Sequence, residues 1–173
     1  GVYTVTLIAT NACGNDTATQ QVTILLPPVA GWNQTGNEGC EGLSVQFNAA
    51  TQSPGLTYAW TFAGGEPATS DLPNPTVRYA SAGSYPVQLI IANAAGSDTA
   101  VQNSAIAINP NPLAAFSAAV NGFSAAFNNN SIDGNNYFWD FGDENTSELF
   151  SPGHIYEEEG VYTVTLVVSN ECG

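Results

Sequence analysis

The 173-residue sequence predicts an all-β protein built of tandem sandwiches, and three observations carry that expectation. The first is internal repetition. GVYTVTLIATNACG at 1–14 returns as GVYTVTLVVSNECG at 160–173, identical at ten of fourteen positions and offset by 159, and more loosely as GSYPVQLIIANAAG at 83–96. The second is alternation: VYTVTL and SVQF interleave apolar with polar residues, carry β-branched and aromatic types, and end in clusters of Gly, Pro, Asn and Asp. The third is that no stretch keeps a capped 3.6-residue period.

Taken in order, the strands define a unit of about 80 residues with turn signals throughout, the pattern of a β-sandwich. Residues 1–28 read as the closing strands of one unit: VYTVTL, a turn, then NDTATQQVTI. Residues 29–110 read as a complete unit, with LSVQFNAAT (43–51), YAWTFAGG (58–65), PNPTVRYASAG (73–83), the repeated strand and SDTAVQNSAIAI (97–108). Residues 111–173 read as a unit lacking its last strand, through FSAAFNNNS (123–131), YFWDFGDE (137–144), FSPGHIYEEEG (150–160) and the repeated strand. The linkers LLPPVAG (25–31) and INPNPLA (108–114) are short and proline-rich, so they act as stiff spacers.

Composition narrows the function. Only 9% of residues are charged, where about 25% is usual, and 15 acids face one basic residue, Arg78, for a net charge of -14. Such a chain cannot neutralise a nucleic-acid backbone or an anionic membrane surface. No apolar run approaches a bilayer span, and a hydrophobic content of 43% is ample for a core. Gly1 without an initiator methionine or signal-peptide pattern reads as a processed chain or a window of a longer one. Three cysteines, Cys13, Cys40 and Cys172, and one histidine, His154, show no metal-ligand spacing.

WDFGDE at 139–144, followed by SPGHIY and GVYTVTLVVSN, resembles the PKD domain, an immunoglobulin-like β-sandwich; the central unit carries a looser version in WTFAGG, NPTVRY and GSYPVQL. The central unit departs from it at Ala63 and Gly64, and Pro86 stands where a ladder N–H is expected. The resemblance implies that Trp60 and Trp139 are core residues of the third strand. Tyr3, Tyr85 and Tyr162 resemble the tyrosine corner that opens the sixth strand.

It also bears on the cysteines. In an immunoglobulin-like sandwich the second and sixth strands run the same way. Cys40 then lies where the chain leaves its unit, and Cys13 and Cys172 lie where it enters theirs. Pairing within one unit would exceed the disulfide reach of about 7 Å between Cα atoms. Tandem linkage implies a Cys40–Cys172 bridge between units, adding junction stiffness rather than several kcal/mol, with Cys13 bridging to a preceding repeat or subunit.

Each candidate site also has a plainer structural role. Ser151, His154 and Asp143 contain the residue types of a catalytic triad, but Asn74 and Val77 replace the first two in the central unit, so these read as structural and the chain as no enzyme. Asp140, Asp143, Glu144 and Asn145 form an acidic loop that offers Ca²⁺ oxygen ligands or, alternatively, backbone-bonding turn residues; calcium is the one cofactor that the sequence suggests. Glu157–Glu159 read as a solvated turn. Trp32 reads as a junction residue or an exposed platform for a sugar. Thr17 and Thr99, in Asp-Thr-Ala triplets, are candidate O-glycan acceptors, and Asn15, Asn33, Asn129 and Asn145 head N-x-S/T sequons.

The leading expectation is a structural segment of an extracellular fibre or adhesin, with neighbouring repeats or copies of itself as partners and glycans as further ones. The alternatives are a spacer or carbohydrate-binding accessory of a secreted hydrolase and a calcium-dependent adhesin. The third unit's missing last strand is expected from the continuing chain in preference to a neighbour.

Overall fold

The computed structural model describes residues 1–173, and every regular element is a strand. In the first segment β1 (Val2–Asn11) and β2 (Gly14–Thr23) form a two-stranded hairpin. The central unit comprises β3 (Trp32–Gln34), β4 (Glu38–Cys40), β5 (Leu43–Ala49), β6 (Thr57–Phe62), β7 (Gly65–Glu66), β8 (Thr69–Ser70), β9 (Thr76–Tyr79), β10 (Gly83–Asn93) and β11 (Gly96–Asn109). The third unit comprises β12 (Phe116–Asn121), β13 (Ser124–Asn129), β14 (Asn136–Asp140), β15 (Thr146–Ser147), β16 (Gly153–Ile155) and β17 (Thr165–Ser169). No helix is long and apolar enough to cross a membrane.

In the central unit the sheet β4-β11-β10-β6-β8 faces the sheet β3-β5-β9-β7. Period-2 alternation sends Val45, Phe47 and Ala49 of β5, Trp60 and Phe62 of β6, and Val87, Leu89 and Ile91 of β10 into one core of 13 buried residues. Pro86 costs this sheet no ladder bond. The register slips from Val87↔Gln102 to Tyr85↔Ile106, and the proline falls in that irregularity.

The third unit pairs β12-β13-β16 with β15-β14-β17 over only six buried apolar residues: Ala125, Phe127, Trp139, Phe141, Leu166 and Val168. It repeats the central unit's fixtures closely. Trp60 Nε1 donates to Leu72 O and Trp139 Nε1 to Leu149 O, each at 2.9 Å. The Tyr85 hydroxyl donates to Ser81 O at 2.8 Å and the Tyr162 hydroxyl to Glu158 O at 3.0 Å, the same reach of four residues back. Nothing corresponding to β11 covers β17, which stays an edge. In the hairpin all twenty strand residues are exposed, because no second sheet lies against it.

One residue of the central core carries an unpartnered polar group. Tyr79 is fully buried, its hydroxyl has no protein partner, and burial followed by the neighbouring Tyr85 pushes its pKa up to about 12. Tyr79→Phe should therefore raise stability by about 1 kcal/mol, since it removes an unsatisfied group and keeps the ring. The check is a urea titration in which the midpoint rises and the m-value stays put.

Candidate functional site

The features that distinguish this chain from a set of separate sandwiches lie at its two junctions. Each sixth strand ends in a turn opened by an asparagine, at Asn11, Asn93 and Asn170. The side-chain oxygen accepts the N–H two residues on, at 2.7 Å from Cys13, 2.8 Å from Ala95 and 2.7 Å from Cys172. That bond fixes the amide so that its nitrogen faces the incoming linker. Asn93 Nδ2 donates to Leu26 O at 2.8 Å, and Asn170 Nδ2 donates to Pro110 O at 2.9 Å and to Asp133 O at 2.6 Å. A linker of prolines has few N–H groups to offer, so its carbonyls are what a side chain can hold.

The first junction adds Asp98, whose carboxylate accepts the Ala30 N–H at 2.8 Å. The second adds a covalent bond: Cys40 and Cys172 are disulfide-linked across it, with Cα atoms 5.4 Å apart. Three acids crowd there. Asn109 Nδ2 donates to Glu171 Oε1 at 2.8 Å and lies 3.4 Å from Glu38 Oε1, while Glu41 accepts the Ala82 N–H at 3.0 Å. A neutral amide thus sits between two like-charged side chains of different units. Cys13 is free and exposed.

The remaining sequence candidates are dispersed. Ser151 Oγ accepts the Asn129 N–H at 3.1 Å, away from His154, so no nucleophile–base pair exists there. His154 stacks on Phe141 with ring centroids 4.2 Å apart, and its Nε2 lies 2.7 Å from Asp143 Oδ2. In the acidic loop, Asp140 Oδ1 accepts the Gly142 N–H and Asp143 Oδ1 the Asn145 N–H. No group of three His, Cys, Asp or Glu side chains converges. Of the calcium candidates Asp140, Asp143, Glu144 and Asn145, Asp140 Oδ1 and both Asp143 oxygens are engaged by backbone N–H groups and His154, as the turn reading expects, whereas Glu144 and Asn145 Oδ1 accept no hydrogen bond. Gly142 makes the turn possible: its φ is 80°, and a Cβ there would come within 2.5 Å of Thr163 O.

Trp32 is neither a junction residue nor an exposed platform. It lies half-buried on the central core, edge-on to Trp60 with centroids 5.7 Å apart, and its Nε1 donates to Gln34 Oε1. Gln34 in turn donates to Ala105 O, which pins β3 to β11. Thr17 and Thr99 are exposed, whereas Asn129 is only 7% exposed and cannot serve as a glycan acceptor.

The Asp143–His154 contact has a pH consequence. Burial raises the Asp143 pKa, but the hydrogen bonds from His154 and Asn145 and the charge of His154 outweigh it and leave the carboxyl below its usual value. A depressed carboxylate stabilises the fold above the unfolded pKa of about 3.9, and that contribution disappears as pH falls through the lower folded value. The third unit should therefore lose stability on acidification from pH 5 to pH 3 in melting experiments, and Asp143→Asn should flatten the dependence.

The sequence signature of the PKD domain matches residues 25–108 and 109–173. Collagenase ColQ1 of Bacillus cereus (strain Q1) is 51% identical over 37 residues, 21% of this chain and 4% of that protein. Pre-pro-metalloprotease PrtV of Vibrio cholerae is 41% identical over 66 residues, 36% of this chain and 7% of that protein. The similarity thus spans a small part of either relative. With two tandem sandwiches carrying the same tryptophan, tyrosine and turn fixtures, and with that signature over most of its length, the chain belongs to the PKD domain family.

Proposed function

We propose that this chain is a stiff, non-catalytic segment of an extracellular structural protein, a fibre or surface adhesin, in which tandem PKD domains are locked end to end. The junction chemistry carries this reading. Linker carbonyls are held by Asn93 and Asn170, and the second junction is closed by Cys40–Cys172. The two junctions engage opposite ends of the central unit, near Asn93 and Gly96 at one and Cys40 and Asn109 at the other. The disulfide supports an oxidising location, since such bonds do not persist in a reducing cytosol. Cys13 occupies the place of Cys172 and is assigned the same kind of bridge to a preceding repeat or subunit. Exposed Thr17 and Thr99 suit glycan attachment.

Small-angle X-ray scattering of the unreduced protein tests the rod. Strands of about 3.3 Å per residue make β10 roughly 35 Å long, so the hairpin and two units in line should extend about 100 Å. A compact particle, or one whose scattering demands freely hinged units, would sink the reading.

A second reading is favoured by the relatives, a collagenase and a metalloprotease: the chain spaces or accompanies the catalytic part of a secreted hydrolase. Electron microscopy of the native protein from its source separates the two. Long filaments support the fibre, and short rods ending in a bulky particle support the hydrolase.

A further inference from the structure

The Cys40–Cys172 bond is set among acids. Glu41 follows one cysteine, Glu171 precedes the other, and Glu38 lies two residues before Cys40. Folding gathers the three from both units. Asn109 Nδ2 donates to Glu171 Oε1 at 2.8 Å and lies 3.4 Å from Glu38 Oε1, while the carbonyl of the same residue is 3.8 Å from Cys172 Sγ. Cys40 Sγ is 4.0 Å from Glu171 O. Glu41 is held beside them by the N–H groups of Ala82 and Asn111, at 3.0 and 3.5 Å.

One cation answers these acids. Arg78 is the single lysine or arginine of the sequence, and it lies against the turn that follows Cys40: a Cβ on Gly42 would come within 3.1 Å of its Nη2. It forms no salt bridge. Glu38, Glu41 and Glu171 less Arg78 leave two negative charges in excess around the sulfurs.

We propose that this excess charge gates chemical access to the bond, so that the bridge yields to cationic thiols and resists anionic ones. Reduction begins when a thiolate attacks one sulfur. A mixed disulfide forms, the Cys40–Cys172 bond breaks, and its electron pair leaves on the other cysteine as a thiolate that takes a proton from water. A second thiolate then attacks the reagent's sulfur in the mixed disulfide. It releases the remaining cysteine and a small disulfide, so two thiols are oxidised as the bridge is reduced. Attacking and leaving sulfurs both carry negative charge, and the carboxylates disfavour each. A further charge on the thiol adds to this or offsets it. One unit charge about 8 Å from another in water alters a rate roughly twofold at low salt. With two charges in excess, and two charge steps between a cationic and an anionic thiol, the rates should differ about tenfold. The inference deepens the rod reading, on which its purpose rests: a junction that stays stiff outside the cell keeps its bond against small anionic thiols. The chemistry does not depend on the rod.

The test compares 2-aminoethanethiol, 2-mercaptoethanol and 2-mercaptoethanesulfonate, which are cationic, neutral and anionic, on the 173-residue protein in a Cys13→Ser background. Loss of the bridge is followed by alkylation and mass spectrometry. Rates are taken per thiolate and divided by each thiol's rate with an uncharged small disulfide, which removes intrinsic nucleophilicity. At about 10 mM salt the cationic thiol should be fastest and the anionic slowest, about tenfold apart. At about 1 M salt, where screening acts within about 3 Å, the spread should fall to about twofold or less. Glu38→Gln with Glu171→Gln leaves Glu41 and Arg78 to cancel and should abolish the spread, while both glutamines still offer an acceptor to Asn109. Arg78→Gln should widen it about fourfold.

Equal rates for all three thiols at low salt overturn the proposal, as does a spread that neither set of substitutions moves. A rate independent of thiol concentration overturns it too, because opening of the junction would then set the pace. Freely hinged units in scattering, together with charge-graded reduction, would sink the rod reading and leave this one standing.

Discussion

Reducing the Cys40–Cys172 bridge should lower the melting temperature of the third unit and leave that of the central unit in place. Cys40 is paired in the sheet with Asn109, the residue at which the central unit hands over to the linker. With the central unit intact, the bridge therefore holds both ends of the third unit at nearly one point, and unfolding that unit opens a closed loop rather than a free tail. For a loop of about 60 residues the chain-entropy model assigns about 4 kcal/mol, and measured bridges usually deliver about 2–4. A unit of this size loses about 4–8 °C of Tm per kcal/mol, so its transition should fall by roughly 10–25 °C. Calorimetry should show two transitions, with only one moved by reductant or by Cys40→Ser with Cys172→Ser. A single transition, or two that move together, would refute this. This outcome goes beyond the junction stiffness that the sequence suggests, because the bridge closes a loop around a unit with only six buried apolar residues.

Trp139→Ala should unfold the third unit outright at 25 °C, even with the bridge intact. The indole is fully buried, lies 5.1 Å from Phe116 and 5.5 Å from Phe127 between ring centroids, and donates to Leu149 O. Removing such a side chain costs about 3–5 kcal/mol. A unit with six buried apolar residues has little more than that in reserve. Trp60→Ala loses a similar amount from a core of 13 and should leave the central unit folded but weakened. Trp139→Phe should be milder, losing the hydrogen bond and part of the packing. Resolved amide spectra of each unit provide the readout: Trp139→Ala should collapse the third unit's dispersion and spare the central unit's. Preserved dispersion in both would mean that the small core is stronger than its burial suggests.

Much of this architecture was legible in the residues themselves. Alternation in SVQF and VYTVTL put Val45, Phe47 and Leu166 inward, and repetition fixed where each strand recurs. The topology implied by the family resemblance put Cys40 and Cys172 at facing ends. What escaped notice depended on contacts between positions far apart in sequence. Trp32 looked detached because its partner, Trp60, is 28 positions away and its own strand has three residues. Asp98 read as part of a glycan signal, yet its carboxylate holds the Ala30 N–H across the first junction. The asparagine lock had a visible signal, since Asn11, Asn93 and Asn170 recur in every copy. Asparagine in a turn already has a local role, however, and only three-dimensional structure reveals the second use of its amide nitrogen.

The bridge also decides which part of the chain carries tension. A pull applied along the backbone between Gly1 and Gly173 runs to Cys40, crosses the sulfurs to Cys172, and leaves. The 132-residue span between the two cysteines lies off that path. It holds roughly 450 Å of extended backbone at about 3.4 Å per residue, none of which is released while the bond is intact. The load falls on the N-terminal hairpin and the opening strands of the central unit. The third unit, with the weaker core, rides as an unstressed passenger until a reductant puts it in line.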